Sequence, residues 1–556
     1  MIPNRLFYFV LLVCGFTALL GVMMIPLMDI DASQYASISR EMLDNNSYLQ
    51  LFDLGHDYLD KPPMLFWLSA ISMKLLGVYD WSYRLPSFLF AMLAVYATYQ
   101  FAILFYRKEI AQLSAMVLAS SQAIFLVTHD VRCDTMLMGW VAFSLWQMAA
   151  WYQTSHWKHF LLAFIAIAGG MMTKGPVALM VPAFGLVPHF ILRREWKQLF
   201  RREYLLGAAL IGILLVPMSI GLYRQFDLHP GKLINGVSIQ SGLRFYYWTQ
   251  SFGRYTGENV FNEMNHFTFL LENMFWSFLP WIFFFLIGLF LSMKEIISKK
   301  FRLAANEEWI TTGGFIITYC ILARSQAQLP HYIFVVFPLA AVITAKFLYR
   351  LLYTDELVKW KKPLLIFHSV IFSLLWVAVI ALMAWPFKQV PVYVVILAGL
   401  CFLFFFRILF SKSRRFPVLL TVSLFTVAGV NIFLNTNFYP NLLQYQLGNV
   451  AGKFIHDHRI PKDQISLYGV KTGRSLSFYG QQLFTEKKSI QDFQADDIVL
   501  TSKDSSIVFQ QTFPQMKVML EGNHFGVSIL TLPFLNPETR EKELSKYVII
   551  DLDGKF

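Results

Sequence analysis

The sequence predicts a polytopic α-helical membrane protein of about thirteen spans, followed by a small C-terminal α/β domain. Three observations predict it. Of 556 residues, 56% are hydrophobic and 17% aromatic, a composition foreign to soluble globular domains. Apolar runs near the roughly 20 residues that a spanning helix needs recur from the amino terminus to about position 435. Beyond that point the pattern shifts to short β-branched runs separated by turn residues.

The runs fall near 6–27, 85–106, 110–128, 135–153, 159–173, 177–192, 204–222, 272–293, 309–323, 331–350, 363–385, 391–410 and 416–435. Basic residues cluster in the connections Arg107-Lys108, Arg193-Arg194 through Arg202, Lys294–Arg302, Lys359–Lys362 and Lys412–Arg415. If the spans alternate, all of these lie on one side, and the positive-inside rule makes that side cytoplasmic. The net charge of +12 is therefore a topology signal, and no nucleic-acid partner is expected. Arg5 places the amino terminus inside. No small-residue cleavage site follows the first run, so a retained helix is expected there. An odd number of spans puts everything past Asn435 outside, which in a bacterium means an inner-membrane protein with a periplasmic tail.

Two parts result: 1–437 in the membrane, with outer loops 28–84 and 223–271, and the soluble tail 438–556. In the first loop Tyr35, Ile38, Met42 and Leu43 recur at helical spacing, which suits a helix lying flat with one side in lipid. In the tail Ile465–Tyr468, Ile498–Leu500, Lys517–Leu520, Val527–Leu532 and Tyr547–Ile550 read as strands, and Leu447–His458 as a helix. Gly448 to Lys453 has the wrong spacing for a phosphate loop. Cys14, Cys133, Cys320 and Cys401 show no paired spacing that would imply disulfides or zinc.

Charged residues gather where apolar runs end on the outer side. Asp29 and Asp31 follow the first run, and Asp60-Lys61-Pro62-Pro63 closes the loop they open. An aspartate partly withdrawn from water gains basicity and can accept a proton, though Asp is also a common helix cap. Two prolines hold Asp60 and Lys61 in a rigid turn, and a lysine at headgroup level suits a phosphate. Snorkelling from the next helix would explain Lys61 equally well. Asp134 follows His129-Asp130-Val131-Arg132 at another exit, and Thr173-Lys174-Gly175-Pro176 puts a lysine into a tight break. Phe245-Tyr246-Tyr247-Trp248 through Gly253-Arg254-Tyr255 combines an aromatic surface with a guanidinium able to grip a phosphate. The same rings also suit an interfacial aromatic belt. Gln326-Ala327-Gln328-Leu329-Pro330-His331-Tyr332 lies at a further exit, where His331 by itself reads as structural.

Taken in this order, the residues resemble the lipid-linked-sugar transferases of the C-type glycosyltransferase superfold. The nearest likeness is to the aminoarabinose transferase family (ArnT), related to protein O-mannosyltransferases. The segments that carry it are Asp31-Ala32-Ser33-Gln34-Tyr35-Ala36 with Ser39-Arg40-Glu41-Met42-Leu43, Asp60-Lys61-Pro62-Pro63, Asp134, Thr173-Lys174-Gly175-Pro176, Phe278-Leu279-Pro280-Trp281, and Gln328-Leu329-Pro330 with Tyr332. The resemblance implies inverting transfer of a sugar from a polyprenyl phosphate to an acceptor on the outer face. It implies that Asp31 and Asp134 are catalytic, that Lys61, Arg254 and Lys174 bind the donor phosphate, and that Asp60, Tyr35, Arg84, Gln328 and Tyr332 support them. The family's Asp-Glu is Asp31-Ala32 here, its Arg before the Tyr is Gln34, its Glu-Lys-Pro is Asp60-Lys61-Pro62, and its Lys-Leu-Pro is Gln328-Leu329-Pro330. Its metal-binding Glu-His aligns with Gln250-Ser251, so no metal is placed and no cofactor is expected.

Two acceptors fit the chemistry. A phosphate monoester on lipid A, with a second pKa of about 6, can attack without a strong base. A Ser or Thr hydroxyl on a protein needs a carboxylate base such as Asp31. The tail after the last span favours the glycolipid acceptor. A transporter or lipid flippase is the reading from another class, but its working charges would lie near the midplane, not at the exits.

Overall fold

A computed structural model describes residues 2–250, 252–253, 258, 266–304, 307–325, 327–387, 390–410 and 418–555. The first nine helices are α1 (Asn4–Met24), α2 (Asp31–Asp44), α3 (Met64–Leu76), α4 (Asp80–Phe105), α5 (Lys108–Ala119), α6 (Gln122–His129), α7 (Cys133–Thr154), α8 (Trp157–Lys174) and α9 (Val177–Leu192). Every apolar run read as a span is largely helical over its described part, ending with Val418–Phe433. Among the described residues seven helices are long and apolar enough to cross a membrane singly, and the α5–α6 pair, bent by 50°, makes an eighth. The protein is a multi-pass membrane protein.

The remaining runs fall short for reasons the side chains supply. Lys158, His159 and Lys174 dilute α8, and both α9 and Ile310–Ala323 are shorter than a full span. The run at 272–293 is not one helix. It divides into Phe269–Ser277 and Ile282–Ser298 around Pro280, which has no N–H to continue the ladder.

The first outer loop is built differently from the expectation of a lipid-facing α2. Tyr35, Ile38 and Met42 are buried inside the protein, packed with Leu65, Phe66 and Ala70 of α3 and with Phe478 and Tyr479 of the tail. It is α3 that turns an apolar edge outward, through Ile71, Leu75 and Leu76. The prolines ahead of α3 fix its start, and Gly77 at φ +89° ends it in a conformation open to glycine.

The tail carries a five-stranded sheet in the order Thr485–Glu486, Ile465–Tyr468, Ile498–Ser502, Ser545–Asp551, Lys517–His524. The first three strands are parallel, and the last two join antiparallel. Leu447–Asp457 and Arg474–Gly480 pack beside it through Leu447, Ala451, Ile455 and Leu476. Four of the five expected strands are present. Val527–Leu532 is not a strand, because Phe525, Val527 and Phe534 are used in the core shared with the membrane helices. Arg540 completes that seam by donating to the Pro386 carbonyl and lying over the Phe387 ring at 4.9 Å.

Candidate active site

The helix hairpin α7–α8 explains why residues forty positions apart meet. Asp134 lies in the first turn of α7 and Lys174 is the last residue of α8. The two helices run antiparallel through the turn at Ser155–His156, so a start and an end face each other. Each charge also suits its helix terminus, an acid at the amino end and a base at the carboxyl end. Lys174 Nζ donates to Asp134 Oδ1 at 2.5 Å, and the two side chains are only 14% and 3% exposed. Gly175 at φ +86° then breaks α8 so that Pro176 can start α9.

Two further elements close on this pair. His331 Nε2 lies 3.6 Å from Asp134 Oδ2, and Lys174 Nζ sits 3.8 Å from the centre of the Tyr332 ring. Lys61, carried on the rigid Asp60–Pro63 turn, donates to Asp60 Oδ2 at 2.6 Å. Gln250 from the second outer loop braces the same turn, donating to the Asp60 carbonyl at 2.8 Å and to Oδ1 at 3.0 Å. Burial opposes the charge on Lys61, but the adjoining Asp60 carboxylate outweighs it and holds the ammonium above its ordinary range.

These residues surround one cavity with about 1020 Å³ of empty space. Asp60, Lys61, Asp134, Lys174, Gln250 and Tyr332 supply its polar part. Leu137, Val177, Met180, Val181, Phe184 and Leu322 supply an apolar wall. A polar head with an apolar lane beside it is the shape an amphiphile requires.

Asp31 does not line this cavity. It is the first residue of α2 and is ion-paired to Arg132, which also grips Asp130 Oδ2 at 3.0 Å. Arg132 caps α7 two residues before Asp134. Burial lowers its pKa, and the Asp134 charge partly restores it. Arg132 was absent from the residues the sequence singled out for a role, although it sat inside the quoted His129–Arg132 segment. Its signal was proximity to Asp134.

Three expected supporting residues have other work. Arg84 is fully buried and donates to the carbonyls of Val22, Ile25, Pro26 and His129, tying the end of α1 to the end of α6. Its guanidinium is occupied by four backbone acceptors and does not face the cavity. Gln328 donates to the carbonyls of Ala323 at 2.9 Å and Ser325 at 3.2 Å, bracing the turn before Pro330. Tyr35 is buried against Phe66, ring centres 5.7 Å apart, and also stays off the cavity wall. Arg254 lies outside the described residues, while its neighbours Gln250 and Phe252 line the cavity.

The donor set for a metal does not fit the residues described here. Among the described residues no three His, Cys, Asp or Glu side chains form a group that could hold an ion. Gln250 spends its amide N–H groups on Asp60, and Ser251 lies outside the described residues.

A family model described as dolichyl-phosphate-mannose-protein mannosyltransferase matches residues 60–220, the stretch that includes Asp60, Lys61, Asp134 and Lys174. An uncharacterized protein of Aquifex aeolicus (strain VF5) is 28% identical over 323 residues, covering 57% of this chain and 58% of that protein. The undecaprenyl phosphate-alpha-4-amino-4-deoxy-L-arabinose arabinosyl transferase of Enterobacter sp. (strain 638) is 24% identical over 402 residues, 69% of this chain and 67% of that one. The chain thus spans little more than half the length of the first relative and about two thirds of the second. The fold superimposes on the crystal structure of ArnT from Cupriavidus metallidurans bound to undecaprenyl phosphate with a TM-score of 0.72, covering 98% of this chain and 97% of that one at 17% identity. In fold, this chain is ArnT-like. Its helices and tail share the C-type glycosyltransferase fold from end to end. The ArnT-like scaffold accounts for residues from α7, α8, the first outer loop and the 330–332 turn meeting at one end of the bundle.

Proposed function

We propose that this ArnT-like chain is an inverting glycosyltransferase that moves a sugar from polyprenyl (undecaprenyl) phosphate to an envelope acceptor, the phosphate of lipid A or a related glycolipid. The reading sets it in a bacterial inner membrane of about thirteen spans, with the amino terminus cytoplasmic. Residues 1–437 form the transferase domain, and 438–556 a periplasmic domain. One observation carries the proposal: a single cavity joins two lysines and two carboxylates to an apolar wall.

The chemistry follows from charge. The acceptor oxygen forms a bond to the anomeric carbon while the bond from that carbon to the phosphate oxygen breaks. The electron pair leaves with the polyprenyl phosphate. The donor is a phosphodiester with one negative charge, and the product is a monoester carrying about 1.5 to 2. Lys61 and Lys174 are placed to meet that growing charge, which stabilises the transition state more than the ground state. Their present partners Asp60 and Asp134 keep both cations in position until the phosphate replaces those contacts.

Protein O-glycosylation is the second reading, favoured by the mannosyltransferase family match across residues 60–220. It requires a base for the hydroxyl proton, a task this reading gives to Asp31, which lies beside Arg132 and off the cavity wall. Purified protein given a polyprenyl-phosphate sugar should release free lipid phosphate only when acceptor is present. Mass spectrometry of lipid A and of periplasmic proteins from a deletion strain separates the two acceptors. Lipid movement without sugar transfer would overturn both and indicate a flippase.

A further inference from the structure

The connector from Ile25 to Ile30 links α1 to α2 and has no regular structure of its own. Its polar groups are met by the tail. Tyr479 Oη accepts the Leu27 N–H at 2.7 Å, and Gln446 Nε2 donates to the Leu27 carbonyl at 2.9 Å. Gln446 Oε1 accepts the Asp29 N–H at 2.9 Å. The Asp29 carboxylate receives the Ser475 N–H at 3.2 Å on Oδ1 and the Ser475 hydroxyl at 2.9 Å on Oδ2. Gly473 makes this approach possible, since a Cβ there would stand 2.0 Å from Asp29 Oδ2. Two outlying contacts extend the grip along the same loop, Arg40 to Ser477 Oγ at 3.1 Å and Arg474 to Asp53 at 3.1 Å.

A half-buried connector whose hydrogen bonds come from the tail takes its register from the tail. Two residues after Asp29 the chain reaches Asp31, the partner of Arg132 at the edge of the cavity. We infer that the tail is a positioning element of the transfer reaction: Ser475, Gly473 and Gln446 hold Asp29 and thereby place Asp31 and Arg132 against Asp134. None of the three touches the cavity, so they act through the connector. The inference rests on the transferase reading and adds a purpose for the tail.

The test uses the full-length protein in detergent or nanodiscs with a polyprenyl-phosphate sugar and acceptor. Gly473→Ala and Ser475→Ala are compared with Lys503→Ala, which removes only a surface ion pair of the tail to Glu521. Gly473→Ala should lower kcat on the order of 10- to 100-fold with donor KM within about twofold, as misplacement of a reacting constellation does. Ser475→Ala should lower it less, and Lys503→Ala should match wild type. Hydrogen–deuterium exchange over residues 27–36 should rise in the first two variants, while thermal unfolding of the tail stays in place. Faster exchange with unchanged kcat overturns the inference, because the connector would then be free without consequence. Unchanged exchange and unchanged kcat overturn it also, as does a loss expressed only in donor KM. Failure of the transferase reading has a different signature: wild-type protein itself would release no lipid phosphate.

Discussion

Asp134 and Glu308 are both sealed from solvent, 3% and 0% exposed, at opposite ends of the helix bundle, yet they are satisfied in unlike ways. Glu308 accepts hydrogen bonds from the Tyr106 hydroxyl, from the Thr311 N–H at 2.9 Å and from the Thr311 hydroxyl at 2.6 Å, with Lys346 only at 4.0 Å. Those donors are backbone or short side chains that cannot leave. Asp134 instead takes its hydrogen bond from a lysine, with a histidine 3.6 Å away. A cation on a flexible stem can change partners when a phosphate enters; a backbone N–H cannot. Both carboxylates line cavities, so a buried charge beside a cavity marks a site only when its counter-charge is exchangeable.

The sharpest way to break this contrast is to neutralise each carboxylate. Asp134→Asn should cut transfer on the order of 10²- to 10³-fold, the loss typical of a single preorganised electrostatic group. Glu308→Gln should leave the turnover of folded protein within about twofold while lowering stability by about 1–3 kcal/mol, through hydrogen bonds left unmade. Steady-state kinetics and thermal unfolding of both variants in the same detergent decide it. Equal losses of activity would erase the distinction.

The lysines give the next largest effect. Lys61→Met removes a cation from the cavity and should lower kcat/KM for the donor about 10- to 100-fold, since a hydrogen bond to a charged group contributes about 1.5–3 kcal/mol. Lys346→Met, which loses only its distant approach to Glu308 and its place over the Tyr106 ring, should change kcat/KM less than about twofold. Donor titration with acceptor saturating measures both. A Lys61 variant with normal donor use would remove the phosphate role from that residue.

Much of this difference was legible in the sequence because membrane segments advertise themselves by length and apolarity, and charges at their ends stand out. Lys61, Asp134 and Lys174 were found that way, and a cavity unites them. What failed was direction. Arg84 and Tyr35 occupy helix starts at the same end as the cavity, but whether a side chain turns into a cavity or into backbone carbonyls depends on neighbours tens of positions away. Glu308 and Arg132 were passed over for the complementary reason, since each looks like an ordinary loop charge until its partner arrives from another helix. The Val527–Leu532 run reads as a strand, yet Val527 packs against the membrane core while Ile529, Leu530 and Leu532 are exposed. The four other strand runs had no such competing surface.

The finest test concerns the proton on Lys61. Its pKa is raised despite burial because Asp60 lies against it. A cation whose folded pKa exceeds its ordinary value of about 10.4 contributes fully to stability below that value and loses the contribution only as pH rises through the higher folded pKa. The wild-type kcat/KM should therefore show no alkaline limb from Lys61 up to about pH 10. Asp60→Asn removes the carboxylate and leaves the burial, so the balance reverses and the pKa falls. Its activity near pH 7 should stay within severalfold of wild type, while an alkaline limb enters at lower pH than in wild type. Lys346 lies against no such close carboxylate, and Lys346→Met should leave the profile unchanged. A profile that is the same in wild type and Asp60→Asn would mean that Asp60 does not set the charge of Lys61, and that the cavity holds its cation by some other contact.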